Sequence, residues 1–273
     1  MKELYVPLSG AIAQQKNVET IANNVANANT AGFKRDQLAF KEHLTALSKG
    51  VQDIDLPRGE WAPEDFYRSY GAENAQVRVD GSYTDFTQGQ LTPTGNHFDL
   101  GLHGEGFFEV LTPAGVRYSR KGNFSLNSDA QLVTDKGFPV LQKLPEGLPA
   151  EDTPAPEERL IQLTGQAKMS VGLEGNVFSG DQKVGSLSVV EFNEPHALKK
   201  QGHSLFINNH PENLKRDGIK TAVHQGFIEQ SNVNAVAEMS NLIKANRTFE
   251  SIQRVIKAYD NISAKGVNEI SKF

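Results

Sequence analysis

Both ends of this chain repeat apolar residues at every seventh position, and no other feature constrains its fold as strongly. Near the start the repeat runs through Leu4, Ala11, Val18 and Val25, with Leu8, Ile12, Ile21 and Ala22 beside it. On a helix of about 3.6 residues per turn this spacing makes a narrow apolar stripe. A helix from about Leu4 to Ala28 is predicted, roughly 37 Å long at about 1.5 Å per residue. It should stop at Asn27-Ala28-Asn29-Thr30-Ala31-Gly32, where asparagines and glycine favour a helix end.

The other end mirrors the first. Leu242, Phe249 and Ile256 repeat at seven, as do Ala245, Ile252 and Tyr259, and Val236 and Met239 carry the face backward. Ser231, Asn232 and Asn234 offer N-caps, and Glu250 precedes Arg254 by one helical turn. A second helix over about Asn234–Ile262 follows. Neither stripe is wide enough to enclose a core by itself, so each needs a partner. Periodicity alone leaves two partners open: the other end of the same chain, as a hairpin on the central domain, or another subunit.

Between the helices the period shortens to that of strands. Glu105–Leu111, Val116–Arg120, Asn123–Leu126, Gln131–Thr134 and Phe138–Leu141 read as short strands of an antiparallel meander, with Thr112-Pro113-Ala114-Gly115 as a turn. Strand signals resume at Met169–Leu173, Asn176–Phe178, Ser186–Phe192 and Ser204–Ile207. Leu144–Arg159, with four prolines, reads as an exposed loop, and Gly50–Tyr70 as an extended connector carrying Trp61, Phe66, Tyr67 and Tyr70. The expected fold is α+β: terminal helices pairing as an α-helical coiled coil, with a central antiparallel, mainly β domain. In residue terms, 1–35 and 226–273 form a discontinuous helical domain, 36–75 a connector, and 76–225 the β domain.

Composition removes several functions. A formal charge of -5 offers no basic field for nucleic acid or anionic lipid. The absence of cysteine rules out thiolate chemistry and disulfides. No apolar run approaches the roughly 18–20 residues needed to span a bilayer, so no integral membrane segment is expected. The opening Met1–Leu8 carries Pro7 and does not read as a cleaved secretory leader. Gly101-Leu102-His103-Gly104-Glu105-Gly106 fits no phosphate-loop pattern, and no G-x-S-x-G elbow occurs. His196, His203 and His210 recur at seven, but in a stretch broken by Pro and Gly that no helix aligns. No catalytic, metal or cofactor residue is therefore assigned. Acid pairs such as Glu64-Asp65 and Asp53-Ile54-Asp55 leave a peptidoglycan-binding or peptidoglycan-cutting protein as the alternative of a different class.

Three stretches resemble a known family. Ile21-Ala22-Asn23-Asn24-Val25-Ala26-Asn27-Ala28-Asn29-Thr30-Ala31-Gly32-Phe33-Lys34 is similar to the N-terminal signature of flagellar basal-body rod and hook proteins. Gly226–Asn234 with Glu238-Met239 and Arg247-Thr248-Phe249-Glu250 resembles its C-terminal counterpart. Asp85–Leu91, Thr94-Gly95-Asn96, Asp99-Leu100 and Gly104–Phe108 resemble the β domain between them. The resemblance implies a structural subunit of the axial rod with no cofactor, exported by the flagellar type III apparatus and stacked across the periplasm against its own copies and other axial proteins. Within the family the length and Lys34-Arg35-Asp36 with Gln37–Leu44 look most like the proximal rod subunit, with distal rod and hook-type proteins as alternatives. Its implied subunit contacts are Leu4, Ala11, Val18, Ile21, Asn23, Asn24, Val25, Asn27, Asn29, Gly32 and Phe33 at one end. At the other they are Ser231, Asn232, Val233, Met239, Leu242, Arg247, Phe249, Ile252 and Ile256.

Overall fold

A computed structural model describes residues 5–45, 74–144, 154–163, 169–215 and 218–270, with backbone alone at 42–45, 74–76 and 267–270. Leu4, the connector Gly50–Tyr70 and most of the proline-rich Leu144–Arg159 lie outside them. The chain is α+β and divides into two compact units. One comprises Met1–Asn23, Asp36–Tyr83 and Val236–Phe273, the other Asn24–Arg35 and Thr84–Ala235.

In the first unit, helix α1 spans Tyr5–Ala26 and helix α2 spans Ala235–Ile270. Pro7 falls in the first turn of α1, where its missing N–H has no partner to lose. Helix α2 outruns its predicted end at Ile262 by two turns, since Ser263-Ala264-Lys265 is helix-compatible, no proline intervenes, and the helix runs on through Gly266. The Gln14 side-chain amide donates to the Ala245 carbonyl at 3.1 Å, and Ile252 Cδ1 lies 3.9 Å from where a Cβ on Gly10 would stand. Moving forward from Gly10 to Gln14 moves the contact back from Ile252 to Ala245, so the two helices run antiparallel there. Strand β1, Asp36–Thr45, pairs with β2, Asn74–Thr84. Both ends of the stretch read as a connector are thus strand, and the Val77 amide donates to Ser9 Oγ at 3.2 Å.

The second unit is β-rich and holds the core. Its short strands are β3 (Leu91–Pro93), β4 (Leu100–His103), β5 (Phe107–Thr112), β6 (Gly115–Ser119), β7 (Phe124–Leu126) and β8 (Leu132–Thr134). Then come β9 (Met169–Val171), β10 (Asn176–Ser179), β11 (Gln182–Ser186), β12 (Val189–Phe192), β13 (Lys199–Lys200) and β14 (Leu205–Ile207). The last three are β15 (Leu214–Lys215), β16 (Ala222–Gln225) and β17 (Phe227–Glu229). The main sheet has the order β13-β14-β6-β5-β12-β15, all antiparallel. It is not a meander: β5 lies between its hairpin partner β6 and the distant β12. The reason is that β5 is buried on both faces. Phe108 and Val110 enter one apolar cluster with Leu100, Leu132 and Val177, while Phe107 enters another with Phe192 and Phe206. Period-2 alternation sends neighbouring residues to opposite faces, so a strand with apolar residues on both must be covered on both sides.

Two further pairs tie sequence-distant segments together. Strand β4 pairs with β16, and β3 pairs with β17 in the register Phe227↔Pro93, Ile228↔Thr92 and Glu229↔Leu91. A buried ion pair sits on β5: the Arg159 guanidinium meets Glu109 at 2.6 Å, and Ser188 Oγ donates to the same carboxylate at 2.7 Å. Arg159, at the end of the segment read as exposed, is therefore buried, because the Glu109 carboxylate requires a cation inside the core.

Candidate functional site

Two features concern what this chain can join. The first is the surface of the helices. In α1, Ala11 and Ala13 are buried and Val18, Ile21 and Val25 half-buried, whereas Tyr5, Leu8 and Ile12 stand outward, Tyr5 at 59% and Ile12 at 56% exposure. In α2, Ala245 is buried and Leu242, Phe249, Ile252 and Ile256 are half-buried. Val236, Met239, Ile243, Val255, Tyr259 and Ile262 are exposed, up to 76% at Val236 and 68% at Ile262. Most of the seven-residue stripe faces inward, but Tyr259 within it and Val236 and Met239 on its backward extension stand outward, and with neighbouring apolar residues they form additional faces. Tyr5-Leu8-Ile12 and Val236-Met239-Ile243 share the spacing i, i+3, i+7, which puts each trio on one side of its helix. Val255-Tyr259-Ile262 makes a third such trio at i, i+4, i+7. Asn23, Asn29 and Arg247 are exposed as well.

The second feature lies in the β-rich unit, where the three sequence motifs meet. Helix α1 ends in a string of tight turns, with backbone bonds Asn27→Asn24, Ala28→Val25, Thr30→Asn27 and Phe33→Thr30. Gly32 then takes φ +65, a left-handed conformation, and its amide donates to the Glu229 carbonyl at 2.8 Å. This turn carries Lys34 into the interior. The Lys34 ammonium donates to Glu229 Oε1 at 2.7 Å and to the Thr87 carbonyl at 2.7 Å. Arg120 Nη2 lies 2.8 Å from the other oxygen of Glu229, Nη1 donates to the Gly106 carbonyl, and the guanidinium sits over the Phe107 ring. The Gly89 amide completes the carboxylate's surroundings at 2.9 Å. All three charged side chains are buried.

Two cations thus share one carboxylate away from water. Burial pushes the Lys34 ammonium below its ordinary 10.5; the Glu229 carboxylate opposes that shift and the Arg120 cation adds to it. Burial lowers Arg120 too, again against the pull of Glu229. Around the charges, Asn232 Oδ1 accepts the Arg35 amide at 2.8 Å, and its Nδ2 donates to the Asp85 carbonyl at 2.8 Å and to Thr87 Oγ1 at 3.0 Å. Lys200 lies 3.8 Å from the Phe33 ring centre and donates to the Lys34 carbonyl at 2.7 Å.

Asn24, Gly32, Phe33 and Val233, named above as subunit contacts, are therefore buried within the chain, and Asn232 is engaged there, with Asn27 and Ser231 half-buried beside them. Lys34 and Glu229 stand inside the motifs, outside the set of expected subunit contacts, and Arg120 has no sequence signal. A lysine flanked by Gly-Phe in one motif and a glutamate flanked by Ile and Gln in the other was the available hint. Among the three histidines, His196 packs edgewise on Phe86 at 6.0 Å and His210 Nδ1 is 3.4 Å from Glu212. Gly104 and Gly106, from the loop compared with phosphate loops, sit tightly against Thr221. No helix among the described residues is long and apolar enough to cross a membrane.

Comparison with known proteins agrees with this layout. Residues 4–34 match the family of flagella basal body rod proteins, 101–179 the D1 domain of flagellar hook protein FlgE/F/G, and 224–269 the C-terminal region of flagellar basal body rod FlgEFG proteins. Flagellar basal-body rod protein FlgF of Caulobacter vibrioides is 31% identical over 271 residues, 98% of each chain. Flagellar basal-body rod protein FlgG of Agrobacterium fabrum is 32% identical over 270 residues, 97% of each. FlgF of Mesorhizobium japonicum is 30% identical over 267 residues.

Proposed function

The chain belongs to the flagellar basal-body rod protein family, as a structural subunit and not an enzyme, and we propose that it enters the rod through its two terminal helices, paired with each other and with those of neighbouring subunits as a coiled-coil layer. The observation that carries this reading is the set of apolar residues on the outer faces of α1 and α2, from Tyr5, Leu8 and Ile12 to Val236, Met239 and Ile243. Surface apolar residues grouped at helical spacing are uneconomical in water and are covered when like surfaces meet. Each helix has one face turned to its partner in the chain and further apolar faces turned outward, which suits a subunit with neighbours on more than one side. A contact between unlike faces propagates into a helical stack instead of closing as a dimer.

We place the subunit in the proximal rod, across the periplasm, with the flagellar export apparatus as its route there. Its partners are its own copies and other axial proteins. We assign the half-buried stripe residues Val18, Ile21, Leu242, Phe249, Ile252 and Ile256 to the seam between α1 and α2. The test is Ile12→Asn combined with Val236→Asn, expressed in cells lacking the native gene. The β-rich unit should melt as in the parent, while isolated basal bodies seen by electron microscopy lack a complete rod. Complete rods and normal swimming would sink the proposal.

A further inference from the structure

The Lys34–Glu229–Arg120 cluster is placed where a subunit with distant chain ends needs a fixed point. Lys34 and Glu229 are 195 positions apart, yet each lies just outside a helix: Lys34 follows the turns that end α1 at Ala26, and Glu229 ends β17 shortly before α2 begins at Ala235. We propose that this cluster is a positioning clip that fixes, within the β-rich unit, the two points from which the helices start, so that both helix roots are set before any neighbouring subunit binds.

The geometry favours a directional role over a purely stabilising one. Burying three charges costs several kcal/mol of solvation per ion, and apolar side chains of similar size commonly serve stability equally well. An apolar patch, however, would allow the segments to slide. Here the carboxylate accepts a hydrogen bond from Lys34 on one oxygen and faces the Arg120 guanidinium at 2.8 Å with the other, so rotation or shift of either segment pulls an ion pair apart. Bonds donated by backbone amides repeat the same constraint: Gly32 to the Glu229 carbonyl, Gln230 to the Gln90 carbonyl, and Arg35 to the Asn232 side-chain Oδ1. Close backbone approach enforces it sterically, since a Cβ on Gly89 would lie 1.9 Å from the Gln230 carbonyl oxygen. Three segments, 32–35, 85–90 and 229–232, are thereby held at one register. The assignment of a purpose to that register rests on the reading that the helices join subunits.

The chain contains no cysteine, so spin labels go only where cysteines are introduced. Labels at Ala26→Cys and Asn234→Cys, measured by pulsed electron paramagnetic resonance on the soluble full-length chain, report the separation of the helix roots. The parent should give one narrow distance distribution. The apolar replacement Lys34→Met with Arg120→Met and Glu229→Leu should keep the denaturation midpoint of the β-rich unit, broaden that distribution about twofold, and fail to restore swimming. An equally narrow distribution would overturn the clip, whether or not swimming returns. Should the triple variant not fold, hydrogen exchange on the unaltered chain decides. The Gly32, Gly89 and Gln230 amides should be protected to within roughly tenfold of those in β5, and exchange at the rate of exposed loops would overturn the proposal. Both measurements use the free monomer, so rods that assemble without the helices would refute the assembly reading alone and leave the root distances unchanged.

Discussion

Replacing Gly32 by alanine tests the described junction most directly, because two other glycines separate the contributions. Gly32 has φ +65, and a Cβ there would lie 2.5 Å from the Lys121 nitrogen and 2.6 Å from the Arg120 carbonyl carbon, both rigid backbone. The variant should bear both the left-handed strain of a non-glycine residue, about 1–2 kcal/mol, and the cost of overpacking, about 1–3 kcal/mol. Gly95 has φ +73 with nothing within 4 Å of its Cβ position, so Gly95→Ala should cost only the strain. At Gly89 the clash alone operates, against the Gln230 carbonyl. Summed, Gly32→Ala should cost about 2–5 kcal/mol, lowering the melting temperature by roughly 4–20 °C for a unit of this size. Gly95→Ala should lower it by no more than about 2–8 °C. Thermal melts of the three variants beside the parent measure this. Equal losses for Gly32→Ala and Gly95→Ala would show that the Arg120–Lys121 backbone does not press on Gly32, and the reasoning would fail.

Phe249→Ala should cost about 2 kcal/mol in the free chain, roughly half the 3–5 expected at a fully buried site, because Phe249 keeps part of its exposure; helix-specific hydrogen exchange would register it, and swimming should be lost. Arg159→Met removes the guanidinium from the buried Glu109 carboxylate and should destabilise the β-rich unit by about 3–5 kcal/mol in a urea melt, whereas an unchanged midpoint would contradict the ion pair. Burial alone would raise the Glu191 carboxyl, but bonds from Thr221 Oγ1 and the Lys220 amide, with the Lys215 ammonium, hold it below its ordinary 4.5. Its contribution is then present above pH 4.5 and lost as pH falls through the lowered value, so Glu191→Gln should be less stable than the parent at pH 7 and should flatten the acid limb of a stability–pH curve.

What the sequence determined by itself is local. The seven-residue repeats placed both helices to within a few residues at most boundaries, since helical periodicity depends only on neighbours along the chain. The run Phe107-Phe108 flanked by a Pro-Ala turn marked β5 and its hairpin for the same reason. The family motifs were legible too, with Gly32, Phe33, Asn232 and Val233 recognised as special residues. Their use was not: a repeat shows that a stripe must be covered but not how many partners do the covering. Ala245 inside the stripe is buried in the chain, Val236 on its backward extension is exposed, and Ile243 and Ile262 outside it carry further exposed faces. Only the tertiary structure decided that β5 lies beside β12, and that Lys34, Arg120 and Glu229 converge on one point. Strand order is set by which apolar faces can be covered together. A buried charge is tolerable only where an opposite one arrives from elsewhere in the chain, and neither condition is written in the spacing of residues around Lys34 or Glu229.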